Sequence, residues 1–255
     1  MFEEKYNMKL KDRLAVVTGA GQGVGACIAR GLADEGARVI LADIQLENAV
    51  KIAEEIRNSG GEAWAYALDV TDAEACTALA ETVKQHGDVS LLINNAGVCP
   101  RNTIDSPDVR ETWALGMSVN LDGTLNMILP FVPVLRKTKG VIINMASIAS
   151  FVSTATSISY STSKSAVKML TQNLAAELGK DGVRVNAVAP GTLVTPMTEA
   201  TRNNDERRER FLSRIPMGRF GDPKEIIGPI IFLASDMSTY VTGATIVVDG
   251  GYLTT

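Results

Sequence analysis

The stretch Leu14-Ala-Val-Val-Thr-Gly-Ala-Gly-Gln-Gly-Val-Gly25 decides the fold. Leu14 to Thr18 is short and almost wholly apolar or β-branched, which reads as a strand covered on both faces. Gly19, Gly21, Gly23 and Gly25 then turn the chain into a helical pattern running from about Val24 to Asp34. A backbone that turns this tightly gathers the free amides of a helix start, which is the arrangement a pyrophosphate requires. Gly19 would make the turn, Gly23 the close approach and Gly25 the tight helix–sheet packing. The spacing is GxxxGxG, not the commoner GxGxxG, and glycine clusters also occur in plain turns. The strand before and the helix after favour the phosphate reading.

Outward from this turn, short β-branched runs alternate with helical patterns. Strands are expected at Arg38 to Ala42, Ala63 to Leu68, Val89 to Ile93, Val141 to Met145, Val183 to Val188 and Thr245 to Val248. Helices are expected to about Asn58, over Ala73 to Gln85, about Pro107 to Leu135 (broken or bent near Pro130 and Pro133), Ser157 to Leu178, Glu199 to Leu212 and Pro223 to Ala234. Pro229 is unusual inside the last of these. This alternation implies an α/β fold of the Rossmann type: a doubly wound, seven-stranded parallel sheet with helices on both faces. No Pro/Gly/Ser-rich linker divides the chain, so residues 1–255 read as a single domain.

Composition narrows the function. The chain has 255 residues, 45% hydrophobic and 21% charged, with a net charge of −4. That balance is wrong for a disordered chain and poor for a nucleic-acid binder. The charged start from Met1 to Lys11 is no signal peptide, and no apolar run is long enough to cross a membrane. Cys27, Cys76 and Cys99 are odd in number and widely spaced, which argues against a disulfide framework and for a cytoplasmic protein. A single histidine, His86, excludes Ser-His-Asp and Cys-His catalysis and any multi-histidine metal site; no metal is expected. His86 precedes Gly87 at a helix end and reads as a cap residue.

Two further features carry chemistry. Asp43 ends the second strand, where an acid accepts from adenosine ribose hydroxyls. A 2′-phosphate there would meet a carboxylate, with no base at Gln22 or Ile44 to offset it, so NAD is expected over NADP. The lesser alternative is that Asp43 caps the next helix. Tyr160 and Lys164 are four apart on a helix and share a face, and Ser147 follows the fifth strand. A nearby ammonium favours the phenolate of a tyrosine, whose free pKa is about 10. Such a pair can exchange a proton with an alcohol while a serine hydroxyl holds the substrate oxygen.

From about Lys11 to Tyr252 the sequence resembles the classical short-chain dehydrogenase/reductases. The matching residues are Thr18 to Gly25, Asp69, Asn94-Asn95-Ala96-Gly97, Asn120, Ser147, Tyr160, Lys164, Pro190-Gly191 with Thr195, and Gly243 with Asp249-Gly250-Gly251. The resemblance implies an NAD-dependent oxidoreductase that interconverts a secondary alcohol, polyol, sugar or hydroxylated ring and its ketone. It assigns catalysis to Asn120 (proton-relay water), Ser147, Tyr160 and Lys164. The implied cofactor contacts are Gly19, Gln22, Gly23, Val24, Gly25, Asp43, Ile44, Asp69, Val70, Asn95, Ala96, Gly97, Tyr160, Lys164, Pro190, Gly191, Leu193 and Thr195. It also implies a substrate lid at about residues 195–214 and a homotetramer. Phe131, Val132, Met169, Leu170 and Leu174 are candidate apolar residues for the subunit interface.

The substrate wall is expected near Cys99, Arg101, Ile148, Ser150, Phe151, Ser153, Ala155 and Met197, mostly small or apolar, which suits an uncharged substrate. Arg101 could meet an acidic group or face solvent. Two other readings remain. One is a non-catalytic NAD-binding or scaffold protein on this fold, against which the intact Ser147, Tyr160 and Lys164 argue. The other is a dehalogenase-like or dehydratase-like relative, which would tend to lose the cofactor turn or add a C-terminal domain.

Overall fold

Alternation along the first strand explains the layers. In β1 (Leu14–Thr18), Ala15 and Val17 pack on one side of the sheet, Leu14 and Val16 on the other, and all are fully buried. The computed structural model describes residues 9–154 and 156–255. β2 (Arg38–Asp43), β3 (Ala63–Ala67), β4 (Leu91–Asn94), β5 (Val141–Met145), β6 (Arg184–Pro190) and β7 (Thr245–Val248) join β1 in one sheet. The order is β3-β2-β1-β4-β5-β6-β7, and every neighbouring pair is parallel. Connections run outward in both directions from β1, so a crevice opens beyond the carboxyl ends of β1 and β4.

One face carries α1 (Gly23–Asp34) and α2 (Leu46–Asn58), whose Ile28, Leu32, Ile52 and Ile56 seal it. The other face carries α3 (Ala73–Thr82), whose Leu79 seals it there. After β4 come α4 (Val109–Met117), a π-helical stretch Ser118–Asp122 and α5 (Gly123–Thr138). The interruption therefore lies upstream of the prolines, not at them. Pro130 and Pro133 sit inside α5 on its outer side, where water can satisfy the carbonyls they free. Phe131 points inward and is 1% exposed, so it belongs to the core and not to a subunit interface.

α6 (Ile158–Leu178) is the longest helix, capped by the Ser157 hydroxyl accepting from the Tyr160 amide at 3.2 Å. The expected charged helix is two pieces, α7 (Glu199–Arg202) and α8 (Asp205–Leu212), because the Asn204 side chain starts a new helix by accepting from the Arg207 amide. The last helix also starts late. Pro223–Ile226 is a 3₁₀ turn and α9 runs Ile227–Ala234, so Pro229 falls in the first turn of α9, where its missing N–H costs no helical bond. No helix among the described residues is long and apolar enough to cross a membrane.

Candidate active site

Beyond the strand ends lies a cleft of about 790 Å³. The glycine turn, Asp43, Ile44, Asp69, Val70, Asn95 to Gly97, Pro190, Gly191, Leu193 and Thr195 line it, together with Ser147, Tyr160 and Lys164. All eighteen residues expected to contact a cofactor thus line one cleft.

The glycine turn is built as a cradle. A Cβ on Gly25 would stand 2.0 Å from the Gly19 carbonyl oxygen and 2.5 Å from Asn95 Nδ2, so no side chain fits. Gly23 has φ 55°, and a Cβ there would find only Thr195 and Pro196, at 3.9 Å across the cleft. That open space is what an extended diphosphate needs. Thr18 Oγ1 accepts from the amides of Asn95 and Ala96 at 3.0 Å, while Asn95 Nδ2 donates to the Thr18 and Gly19 carbonyls at 2.9 and 3.1 Å. The ends of β1 and β4 are therefore locked across the crevice.

Asp43 faces the cleft but does not cap α2, whose N-cap is Gln45. Its Oδ2 accepts from the Gly21 amide at 2.8 Å and its Oδ1 from the Gln45 amide at 2.9 Å, at the entrance to α2. The carboxylate is 8% exposed and still faces the cleft. Ile44, 69% exposed, offers an apolar shelf beside it. These features fit a dinucleotide: amides and open backbone for the diphosphate, an acid for ribose hydroxyls and a shelf for a base.

The opposite end of the cleft holds the chemistry. Ser147 leaves β5 with its Oγ accepting from the Ala149 amide at 3.1 Å. Lys164 is 5% exposed and donates to the Met145 carbonyl at 2.7 Å; its own carbonyl accepts from Ser150 Oγ. Burial brings the Lys164 ammonium down to about 8. Burial pushes the Tyr160 phenol up to about 12, helped by Cys99 and opposed by the Ser147 hydroxyl and the Arg101 charge. The expected lowering by Lys164 is thus not what the protein's own groups produce, because desolvation of the phenol dominates.

Asn120 stands beside Gly97 at this end of the cleft. It is fully buried behind the cleft wall, in the π-helical stretch. Its Oδ1 accepts from the Val98 amide at 2.8 Å, and its Nδ2 donates to the Val98 carbonyl and Ser163 Oγ, both at 3.0 Å. A local widening of a helix commonly marks a functional position. Here it turns Asn120 onto the loop after β4. Gly97 passes between Asn120 and Lys164: a Cβ there would be 3.0 Å from Asn120 Oδ1 and 3.4 Å from Lys164 Nζ.

The expected substrate wall is only partly right. Cys99 and Met197 line the cleft. Ile148 instead packs on Ile215 and Tyr252, Ser150 is spent on Lys164, and Phe151 lies outside beneath the Lys168 ammonium. Arg101 and Ser153 are off the wall, and Ala155 lies outside the described residues. Leu115, Ser118, Val119 and Thr198 take their place. Sequence reading also missed a buried ladder, Asn94 Nδ2 to Asn144 Oδ1 at 2.8 Å and Asn144 Nδ2 to Thr171 Oγ1 at 2.9 Å, which ties β4, β5 and α6 beneath the site. Its signal was present as polar residues inside apolar strands. His86 is remote from the cleft, stacked on Trp64 at 4.0 Å with Nε2 2.7 Å from the Tyr66 hydroxyl.

Comparison with known proteins agrees with this geometry. A family model described as enoyl-(acyl carrier protein) reductase matches residues 19–253. The chain is 39% identical to an L-rhamnose 1-dehydrogenase (NAD(P)(+)) of Azotobacter vinelandii over 96% of its length and 98% of the relative's. It is 40% identical to a 3-oxoacyl-[acyl-carrier-protein] reductase of Thermotoga maritima, covering 96% and 99% of the two chains. Among solved structures, a gluconate 5-dehydrogenase of Burkholderia cenocepacia in complex with NADP and tartrate superposes with a TM-score of 0.92 at 34% identity, covering 98% of each chain. The chain belongs to the classical short-chain dehydrogenase/reductase family and is an NAD(P)-dependent oxidoreductase of small alcohols or ketones.

Proposed function

For this family member we propose NAD-linked interconversion of a secondary alcohol or polyol and its ketone, with Tyr160 as general acid–base. The observation that carries the reading is the meeting of Ser147, Tyr160 and Lys164 at one end of a cleft whose other end is a glycine cradle facing Asp43. Bound NAD would supply a hydride acceptor at its nicotinamide. Gly19, Gly23 and neighbouring amides would hold the diphosphate, Asp43 the adenosine ribose, and Pro190, Gly191 and Thr195 the nicotinamide end. Asp43 supports NAD over NADP, since a 2′-phosphate would face a buried carboxylate already fixed by two amides.

In oxidation, Tyr160 takes the hydroxyl proton and Ser147 Oγ donates to the substrate oxygen. Lys164 holds ribose hydroxyls and sets its positive charge beside the phenol, opposing the desolvation that keeps Tyr160 protonated. Asn120 acts through the backbone: it holds the loop at Val98, and so Gly97, against Lys164. Residues from about 195 to 214 form the lid, with Thr195 and Met197 on the cleft wall and α8 outside. The working form is a homotetramer. Leu129 and Met169, 60% and 55% exposed on α5 and α6, with half-buried Val132, Leu170 and Leu174, supply its apolar contacts. Three unpaired thiols suit a cytoplasmic setting.

The test is steady-state oxidation of secondary alcohols and sugars with Tyr160→Phe beside wild type, with cofactor binding measured separately. Turnover should fall by roughly 10²–10⁴ with cofactor affinity nearly unchanged. Near-wild-type turnover would assign the proton to another group.

A further inference from the structure

The first half of α6 carries Tyr160 and Lys164 but has little apolar packing. Its buried residues there are Ser159, Ser163 and Lys164; Val167 is the first buried apolar side chain. The apolar core that seals the sheet reaches α6 only at Leu174, Ala175 and Leu178. Apolar burial scales with area and has no direction, so the place of this half of the helix is left to hydrogen bonds.

One of these comes from Ser150. Its buried hydroxyl donates to the Lys164 carbonyl at 2.7 Å. Ser150 is itself fixed, because it closes a 3₁₀ turn that starts at Ser147. The Ser150 amide donates to the Ser147 carbonyl at 2.9 Å, and Ser147 Oγ accepts from the Ala149 amide at 3.1 Å. Ser147 and Ser150 therefore form one unit. The same short stretch holds Lys164 at both ends, its Nζ through the Met145 carbonyl at 2.7 Å and its main chain through Ser150. Apart from the hydroxyl contact of Ser147 with Tyr160, this is the single hydrogen bond from residues 146–151 to α6 among the described residues. Asn120 also ties α6, through Ser163, but to the loop after β4 and not to Ser147. Inside α6 the Lys164 carbonyl has its helical partner four residues on, so the Ser150 bond is an addition to the helix and not a requirement of it.

We propose that Ser150 is a positioning residue for the oxidoreduction: its bond to the Lys164 carbonyl sets the place of α6 along its axis, and with it the distances from Ser147 to Tyr160 and Lys164. The proposal rests on the Tyr160 reading above and deepens it by naming the side chain that keeps the three groups together. A misplacement of about 1 Å can cost roughly a hundredfold in rate. Without the bond the Lys164 ammonium and the Ser147 hydroxyl stand off from the phenol, and the phenolate loses their support.

The experiment compares wild type, S150A and S150T in NAD-dependent oxidation of the fastest substrate in a panel of secondary alcohols and sugars, between about pH 6 and 10. Urea melts and NADH titrations accompany the kinetics. S150A leaves no buried donor or acceptor unpaired, so its melt and its NADH affinity should stay close to wild type. Its kcat should fall roughly ten- to hundredfold, with KM changing far less. The apparent pKa for oxidation should rise by about half a unit or more. S150T keeps the donor and should recover most of kcat and the wild-type pH profile; should it melt early, the pKa shift in S150A decides alone. A wild-type kcat in S150A overturns the proposal, as does a loss of kcat with no change in the pH profile. A loss matched by an equal fall in stability or NADH affinity overturns it too, as does a well-folded S150T no faster than S150A. S150A indistinguishable from wild type beside an inactive Tyr160→Phe removes this proposal only, whereas an active Tyr160→Phe removes both.

Discussion

Asp43 offers the most demanding test, because its carboxylate is asked to do two things whose costs separate. Toward the cofactor, it should exclude a 2′-phosphate. Two unit charges about 4 Å apart repel by ~1 kcal/mol in water and ~4 kcal/mol near a protein surface, and the phosphate carries more than one charge. A preference for NADH over NADPH of at least about tenfold in Kd follows, since tenfold is only about 1.4 kcal/mol. Toward the protein, Oδ2 and Oδ1 accept from the Gly21 and Gln45 amides at 2.8 and 2.9 Å. Asp43→Ala removes both acceptors, and the Gly21 amide lies against a residue only 8% exposed. Losing a buried acceptor of this kind costs about 1–3 kcal/mol. The variant should therefore unfold earlier in urea and bind NADH more weakly, while its NADPH affinity changes far less. Adding Ile44→Arg should turn the preference toward NADPH without restoring the lost stability, because a guanidinium pairs with the phosphate but cannot accept from Gly21 N–H. Fluorescence titration of both reduced cofactors, with urea melts of the same samples, reads the two effects apart. Equal NADH and NADPH affinity in wild type would refute the electrostatic reasoning. An unchanged melt in Asp43→Ala would refute the claim that the carboxylate holds the turn.

Other consequences are as direct. Gly25→Ala puts a methyl 2.0 Å from the Gly19 carbonyl, so the turn must open and break the Asn95 contacts; cofactor affinity should fall at least about tenfold in titration. Lys164, lowered to about 8 by burial, costs the fold its desolvation while charged, below that value, and the penalty disappears as pH rises toward the unfolded value of about 10.4. Wild-type stability relative to Lys164→Met should accordingly rise by about 2 kcal/mol between pH 7.5 and 9.5 in urea melts without cofactor, and a flat difference would contradict the burial. Light scattering should give about four times the 27.2 kDa chain mass, and Leu129→Glu should yield a smaller species.

What could be read from the sequence divides along a physical line. Periodicity and glycine position are local, so β1, the turn and α1 were legible, and with them a doubly wound parallel sheet; that β1 lies beside β4 appears only in the fold. Asp43 and Ser147 were legible as residues at strand ends, but the bond of Asp43 to the Gly21 amide, 22 residues back, was not. The direction of the Asn120 side chain was not legible, because it depends on one extra residue in a helical turn, and nothing in Ser118–Asp122 announces a π-helical stretch. Phe131 failed in a related way: apolar residues on a long helix read alike whether they face the sheet or another subunit, and only the phase set by that stretch turns Phe131 inward and Leu129 outward. The substrate wall was the least legible part. Leu115 reaches it from α4 and Thr198 from the lid, elements joined to the cleft by tertiary packing and not by sequence neighbourhood. Arg101 belongs to the same class: the sequence left it between solvent and ligand, and only the folded chain puts it off the cleft lining, with one long bond to the Met197 carbonyl on the lid.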